Sequence, residues 1–245
     1  FAGGAGLATI GFTASVVIMA LCVGVVGVAA LLLLDTNLGK ASFKPKFSEL
    51  FSKSRQINLL SAARLFLFAA RDVWFVVALP VFLQIELGWS SISVGTFLAA
   101  WVIGYGLVQA IAPKITNIVN EGLPDGRAAL LWGLPLVIIP VAMVIGLQQK
   151  SDPTTVLVFG LACFAVVFAM NSALHSFLIT SYANSDGVSL DVGFYYTANA
   201  VGRLLGTVCS GWIYQAHGMA ACLSVSAFFI ALVLLISLGL LRPPK

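Results

Sequence analysis

Apolar positions along this chain gather into long, almost unbroken runs, and polar positions into short stretches between them. A helix of about 20 apolar residues crosses the hydrocarbon core of a bilayer. On that measure the pattern predicts seven full spans: A (14–34), B (58–83), C (91–112), D (128–147), E (154–182), F (193–216) and G (219–241). Residues 1–10 are Gly-rich, too short to cross, and read as the stub of a preceding helix that turns at Gly11. His217 and Gly218 turn the chain between spans F and G, and Pro80 predicts a kink in the second half of span B. The polar connections are 35–56, 86–90, 113–127, 148–153 and 183–191. The fold class is therefore all-α, a polytopic membrane helix bundle.

Composition agrees with the pattern. Of 245 residues, 60% are hydrophobic and 9% charged, and the mean hydropathy is +1.04. Soluble domains are closer to half apolar and a quarter charged. The net charge of +4 is accordingly read by its place along the chain rather than as a nucleic-acid footprint, and no nucleic-acid partner is expected. Taking alternate connections as one side, nine basic residues share a side: Lys40, Lys44, Lys46, Lys53, Arg55, Lys114, Arg127, Arg242 and Lys245. The opposite side holds Lys150. The positive-inside rule then places the long connection and the C-terminus in the cytoplasm. Within that connection KPKFSELFSKSR admits two readings, a surface amphipathic helix with Phe47, Leu50 and Phe51 inward, or a solvated basic linker. Cys22, Cys163, Cys209 and Cys222 lie inside apolar runs without CxxC spacing. They predict packing rather than a disulfide framework or a metal site.

Charged residues inside spans are costly and tend to mark function: an arginine at the centre of a spanning helix costs roughly 2.5–3.5 kcal/mol on insertion scales. Span B carries Arg64, Arg71 and Asp72, and span F carries Arg203. Arg64 precedes Arg71 by two helical turns on nearly the same stripe. The planar guanidinium fork suits doubly charged oxyanions, so Arg71 and Arg203 are the first candidates for a substrate site. The competing reading has Arg71 paired with a carboxylate and merely locking the fold. Asp72 is its neighbour, but adjacent helical residues point about 100° apart, which predicts a poor pair. Arg64 is open between a ligand on the cytoplasmic approach and a snorkelling side chain. Asn199, one turn before Arg203, is a candidate to orient it or to touch the ligand. Asn171 and His175 share one face of span E and, with Asp72, are candidates for a polar patch or proton coupling. Gly202, Gly206 and Ser210 form a small-residue ridge suited to close packing. Tyr195 and Tyr196 read as interfacial belt residues, as does Trp89. No Walker loop, HExxH, GxSxG or intramembrane carboxylate dyad is present. An enzyme is not expected, and neither a cofactor nor a metal.

One long basic loop followed by six spans with short connections is the layout of a major facilitator transporter, two six-helix halves joined by a cytoplasmic loop. On this layout residues 1–34 are the end of the first half (helix 5 stub and helix 6), 35–57 the loop, and 58–245 the second half. The chain opens at Phe1 without an initiator Met or signal-peptide pattern, and is expected to be a fragment. A seven-span receptor or scaffold is the competing class.

Particular strings sharpen the picture. FSKSRQINLLSAARLFLFAARDVWFVVALPVFL from Phe51, WVIGYGLVQAIAP from Trp101 and PDGRAALLWG from Pro124 closely resemble the ArsJ-type organoarsenical efflux transporters of the major facilitator superfamily. The likeness is strong from about Asp35 through span D and looser in spans E to G. PDGR is similar to the charged turn that this superfamily carries between the second and third helices of each half, without the usual basic run after its Arg. The resemblance implies a secondary-active exporter of 1-arseno-3-phosphoglycerate in the inner membrane, giving arsenate resistance. It also implies a functional link to the glyceraldehyde-3-phosphate dehydrogenase that makes this compound. The residues by themselves point only to a small, phosphate-like anion, so a carrier of another sugar phosphate or organic anion stays open.

Overall fold

A computed structural model describes residues 2–34, 54–120, 126–149, 151–183 and 188–241. The stretch KPKFSELFSK, the turn residues Pro124 and Asp125, Lys150, and the terminal Arg242 and Lys245 lie outside the described residues. All described elements are helical: α1 (Ala2–Leu33), α2 (Arg55–Phe75), α3 (Ala78–Ile85), α4 (Ser91–Asn120), α5 (Gly126–Gln148), α6 (Pro153–Tyr182) and α7 (Val188–Ser237), closed by a 3-10 turn, Leu238–Leu241. Six helical stretches are long and apolar enough to cross a membrane, one of them α2 with α3 across their break. The chain is a multi-pass membrane protein by this architecture. Its polarity is inverted relative to a soluble fold: Leu31, Phe159, Leu204 and Trp212 face outward, whereas Arg64 and Asp72 are buried.

Two helices hide a reversal. In α7, Gly218 has φ 73 and ψ −171, a conformation essentially restricted to glycine. Twelve residues of straight helix span about 18 Å, yet the Cys222 thiol lies 3.9 Å from the Ser210 carbonyl. The chain therefore doubles back at Gly218 into two arms. Both arms meet α2: Gly202 lies against Leu65 and Gly206 against Ala69, while Phe229 packs on Phe66 with ring centroids 5.8 Å apart. Gly11 plays the same part in α1, with φ 80 and ψ 173. A side chain on Gly6 would stand 2.8 Å from the Ser15 hydroxyl, against about 13.5 Å for nine residues of straight helix.

The chain divides into two compact units, α1 with the start of α4, and the remaining helices. In the first, Gly4 lies close against the backbone of Ser91 and Gly95, the close approach small residues allow. In the second, α2 packs chiefly on α7, and α5 on α6 and α7. Trp74, Trp101, Phe164 and Phe168 form an aromatic core: Trp74 meets Phe164 edge-on at 5.1 Å, and the Trp101 indole donates to the Leu161 carbonyl at 2.8 Å.

The kink in span B is a full break after Phe75, since the Pro80 ring clashes with the carbonyl of Val76 and offers no N–H. The Ala78 N–H at this break donates to the Ser210 hydroxyl at 3.0 Å. Two expected connections are shorter than the sequence predicted. Helix α4 continues through Pro113 to Asn120, because membrane helices tolerate proline where neighbours re-satisfy the freed carbonyl. Helix α7 begins at Val188, which brings Asp191 into its first turn as a buried residue, where a carboxylate faces the positive helix end. At the start of α6, Asp152 caps the helix by accepting from the Thr155 N–H at 2.8 Å and its hydroxyl at 2.6 Å. These bonds hold the Asp152 carboxyl below the usual range.

Candidate functional site

Close approach of α2 and α7 assembles the charged site. Gly202 and Gly206 let the first arm of α7 touch the backbone of α2 at Leu65 and Ala69, and this brings Arg203, one residue after Gly202, to the level of Asp72. The Asp72 carboxylate, with its side chain 1% exposed, accepts from both sides. Arg71 Nε and Nη2 each lie 2.6 Å from Oδ1, and Arg203 Nε lies 3.2 Å from Oδ2. The expected poor geometry between Arg71 and Asp72 is thus overturned. The 100° offset holds for the Cβ directions, but the arginine side chain is long enough to curl back along its own helix to the neighbouring carboxylate. Arg71 and Arg203 share one counter-ion.

Exposure separates the two. The Arg71 side chain is 12% exposed and the Arg203 side chain 57%. Arg71 commits Nε and Nη2 to Asp72, whereas Arg203 commits Nε alone, and its Nη1 and Nη2 find no partner among the described residues. Arg203 therefore presents an open fork.

Arg64 does not snorkel. It is 4% exposed and held by three hydrogen bonds: Nε donates to Asn199 Oδ1 at 3.2 Å, and Nη1 to the carbonyl and hydroxyl of Ser172 at 3.0 and 3.2 Å. Its guanidinium carbon lies 4.2 Å from the centre of the Phe68 ring and 5.1 Å from that of Tyr195. Arg71 stacks on the same Phe68 ring at 4.9 Å and on Phe168 at 5.4 Å. Phe68 thus lies between two guanidiniums, and each gains a cation–π contact with its ring. No carboxylate lies within ion-pair reach of Arg64 among the described residues. Replacing Arg64 with Lys should cost on the order of 2 kcal/mol, because a lysine keeps the charge but cannot satisfy Asn199 and both Ser172 acceptors with one fork. Thermal unfolding in detergent checks this; an unchanged midpoint would return Arg64 to the snorkelling reading.

The other candidates divide. Asn199 orients Arg64 and not Arg203. Asn171 turns toward α5: its amide donates to the Trp132 carbonyl at 2.6 Å and to the Val167 carbonyl at 3.0 Å, and its Oδ1 is buried without a partner. His175 is fully buried, and neither ring nitrogen has a hydrogen-bond partner among the described residues. The two residues share a helix face but make no mutual hydrogen bond. Tyr195 is fully buried beside Arg64, which removes it from the interfacial belt, while Tyr196 is exposed.

Sequence reasoning missed Ser172, Phe68 and Phe168. Phe68 carried a readable signal, since it lies four residues after Arg64 and three before Arg71, on the stripe the two share. Ser172 carried none beyond being a polar residue in an apolar run.

Taken together, three guanidiniums and one carboxylate lie on two packed helices, leaving two positive charges without a protein counter-ion in the cluster. Such an arrangement can bind an anion of matching charge, with donors supplied by a fork that is already held in place. Compared with protein-family models and with curated proteins, the chain matches none.

Proposed function

We propose that the chain is part of a secondary-active transporter of the major facilitator type, the end of one half and the whole of the other, with a small phosphate-like anion as its cargo. The observation that carries this reading is the charge surplus at the Arg64, Arg71, Asp72 and Arg203 cluster. Buried intramembrane charge that serves only the fold is normally neutralised by its partners; here the excess sits beside an exposed guanidinium. Counting α7 as two arms about Gly218 and α1 as a stub and a span about Gly11 gives seven passes and a stub. That is the count expected of one major facilitator half with the last helix of the other. The distribution of basic residues supports a cytoplasmic C-terminus, and the resemblance supports an inner-membrane location.

Resemblance of the strings in α2, α4 and α5 to organoarsenical exporters supports an arsenylated phosphoglycerate as the cargo, with arsenate resistance as the result. Arsenate and phosphate are both tetrahedral oxyanions, and the guanidinium cluster has nothing that separates them. A carrier of another sugar phosphate therefore fits the same geometry, and one experiment decides between them. Everted vesicles from cells expressing the full-length protein, whose cytoplasmic face is outward, are bathed in the dehydrogenase, its triose-phosphate substrate and a nicotinamide oxidant, in arsenate or in phosphate buffer, and the lumen is assayed. Arsenic accumulating above vector vesicles supports the organoarsenical cargo; phosphorylated product accumulating in phosphate buffer alone supports the alternative. Equality with the vector in both buffers would overturn transport of this class.

A further inference from the structure

The counter-ion of the cluster is itself a competitor for the site. Asp72 is fully buried and places one oxygen on each of two guanidiniums. Its bond to Arg71 is short and made by two nitrogens of a nearly buried side chain. Its bond to Arg203 is longer, made by Nε alone, and reaches the side chain that is 57% exposed. Any anion that takes the Arg203 fork must either displace this carboxylate or lie beside a like charge.

We propose that Asp72 is a tethered counter-ion that holds Arg203 while the site is empty, yields it to an arriving anion, and reclaims it as the anion leaves. This rests on the anion-site reading above and adds the means of release. Without Asp72 the cluster would carry three uncompensated guanidiniums in a medium where charge interactions are strong, and a bound anion would leave slowly. A permeation site must bind well enough to be entered and weakly enough to be left. An internal carboxylate fixed to Arg71 meets both needs, because it stabilises the empty site and speeds the exchange.

Groups facing Asp72 limit how else it could act. On its own helix these are Arg71 and, two turns earlier, Arg64; on α7 the facing charge is Arg203. Gly206 leaves the room: a Cβ there would stand 2.9 Å from the Asp72 Cβ. The carboxylate is thus seated against a glycine of the helix whose arginine it holds.

The test uses the purified chain in lipid nanodiscs with inorganic phosphate as probe. Asp72→Asn removes the competing charge at nearly constant volume, and should tighten phosphate binding on the order of tenfold, most of it through slower dissociation. Asp72→Glu keeps the charge and should stay close to the parental affinity. A folded Asp72→Asn protein that binds phosphate no more tightly than the parent overturns the competitor role and leaves the anion site standing. Absence of phosphate binding by both parent and Asp72→Asn overturns the anion site as well. If Asp72→Asn does not fold, infrared difference spectra of the unmodified chain labelled with 13C-aspartate decide. Phosphate must shift an aspartate carboxylate band as Arg203 is released, and an unchanged spectrum overturns the proposal.

Discussion

Replacing Arg203 with Lys is expected to lower cargo transport at least tenfold or so while leaving the protein folded, and replacing Arg71 with Lys to have a smaller effect. The geometry sets this order. Arg203 has two terminal nitrogens without a partner among the described residues and an exposed side chain, so it offers the cargo a planar, bidentate contact. A lysine at the same place keeps the charge and loses the second hydrogen bond. A charge-assisted bond is worth about 1.5–3 kcal/mol, and 1.4 kcal/mol is a factor of ten. Arg71 has already given two nitrogens to Asp72, and a lysine can still pair with that carboxylate, so less of its chemistry is lost. Cargo uptake into everted vesicles carrying the full-length protein, normalised to protein in the membrane, measures both. Parental rates for both variants would make the cluster structural and end the anion-site reading.

Gly202→Ala should be the most damaging single methyl in the bundle, lowering stability by about 3 kcal/mol or more. An ideal Cβ at Gly202 overlaps the Leu65 carbonyl oxygen and stands 2.8 Å from the Leu65 carbonyl carbon and Cα. These are backbone atoms of α2, which cannot rotate out of the way as a side-chain tip would. The two helices must separate, and the reach from Arg203 to Asp72 lengthens with them. Transport and stability should therefore fall together. Gly193→Ala, on the same helix with open space around its Cβ, is the control, expected to be neutral or slightly stabilising from helix propensity. Unfolding midpoints in detergent check the pair, and equal midpoints for the two variants would overturn the tight α2–α7 contact at Gly202.

Most of the architecture was legible because the bilayer imposes its own length on apolar runs. The all-helical, membrane-length apolar runs, the break near Pro80 and the backbone turns at Gly11 and Gly218 followed from hydrophobic runs punctuated by glycine and proline. Helix ends were read less well. Pro113 lies inside α4 and Asp191 inside α7, because proline as a stop signal and a charge as a loop signal are rules for helices in water. Arg64, Arg71, Asp72 and Arg203 were legible as a group, from the cost of charge in a membrane. Their pairing was not. Whether Arg71 reaches Asp72 depends on how a flexible side chain folds along its own helix, and whether Arg64 snorkels depends on Ser172 and Asn199 from two other helices. Spacing within one helix holds neither answer.

The hydrogen bond from the Ala78 N–H to Ser210 couples position 210 to the break at Pro80. Ser210 ends a ridge whose earlier members, Gly202 and Gly206, have no room for a side chain against α2. It keeps a hydroxyl because Pro80 breaks the opposite helix and leaves an amide to be met. The tolerance of position 210 to mutation is therefore inherited from position 80. With proline at 80, losing the hydroxyl strands a buried donor; with an ordinary residue there, an unbroken helix would satisfy its own amide and position 210 could shrink to alanine or glycine. The two sites form an epistatic pair across a helix interface, and the order in which they change decides whether the intermediate folds.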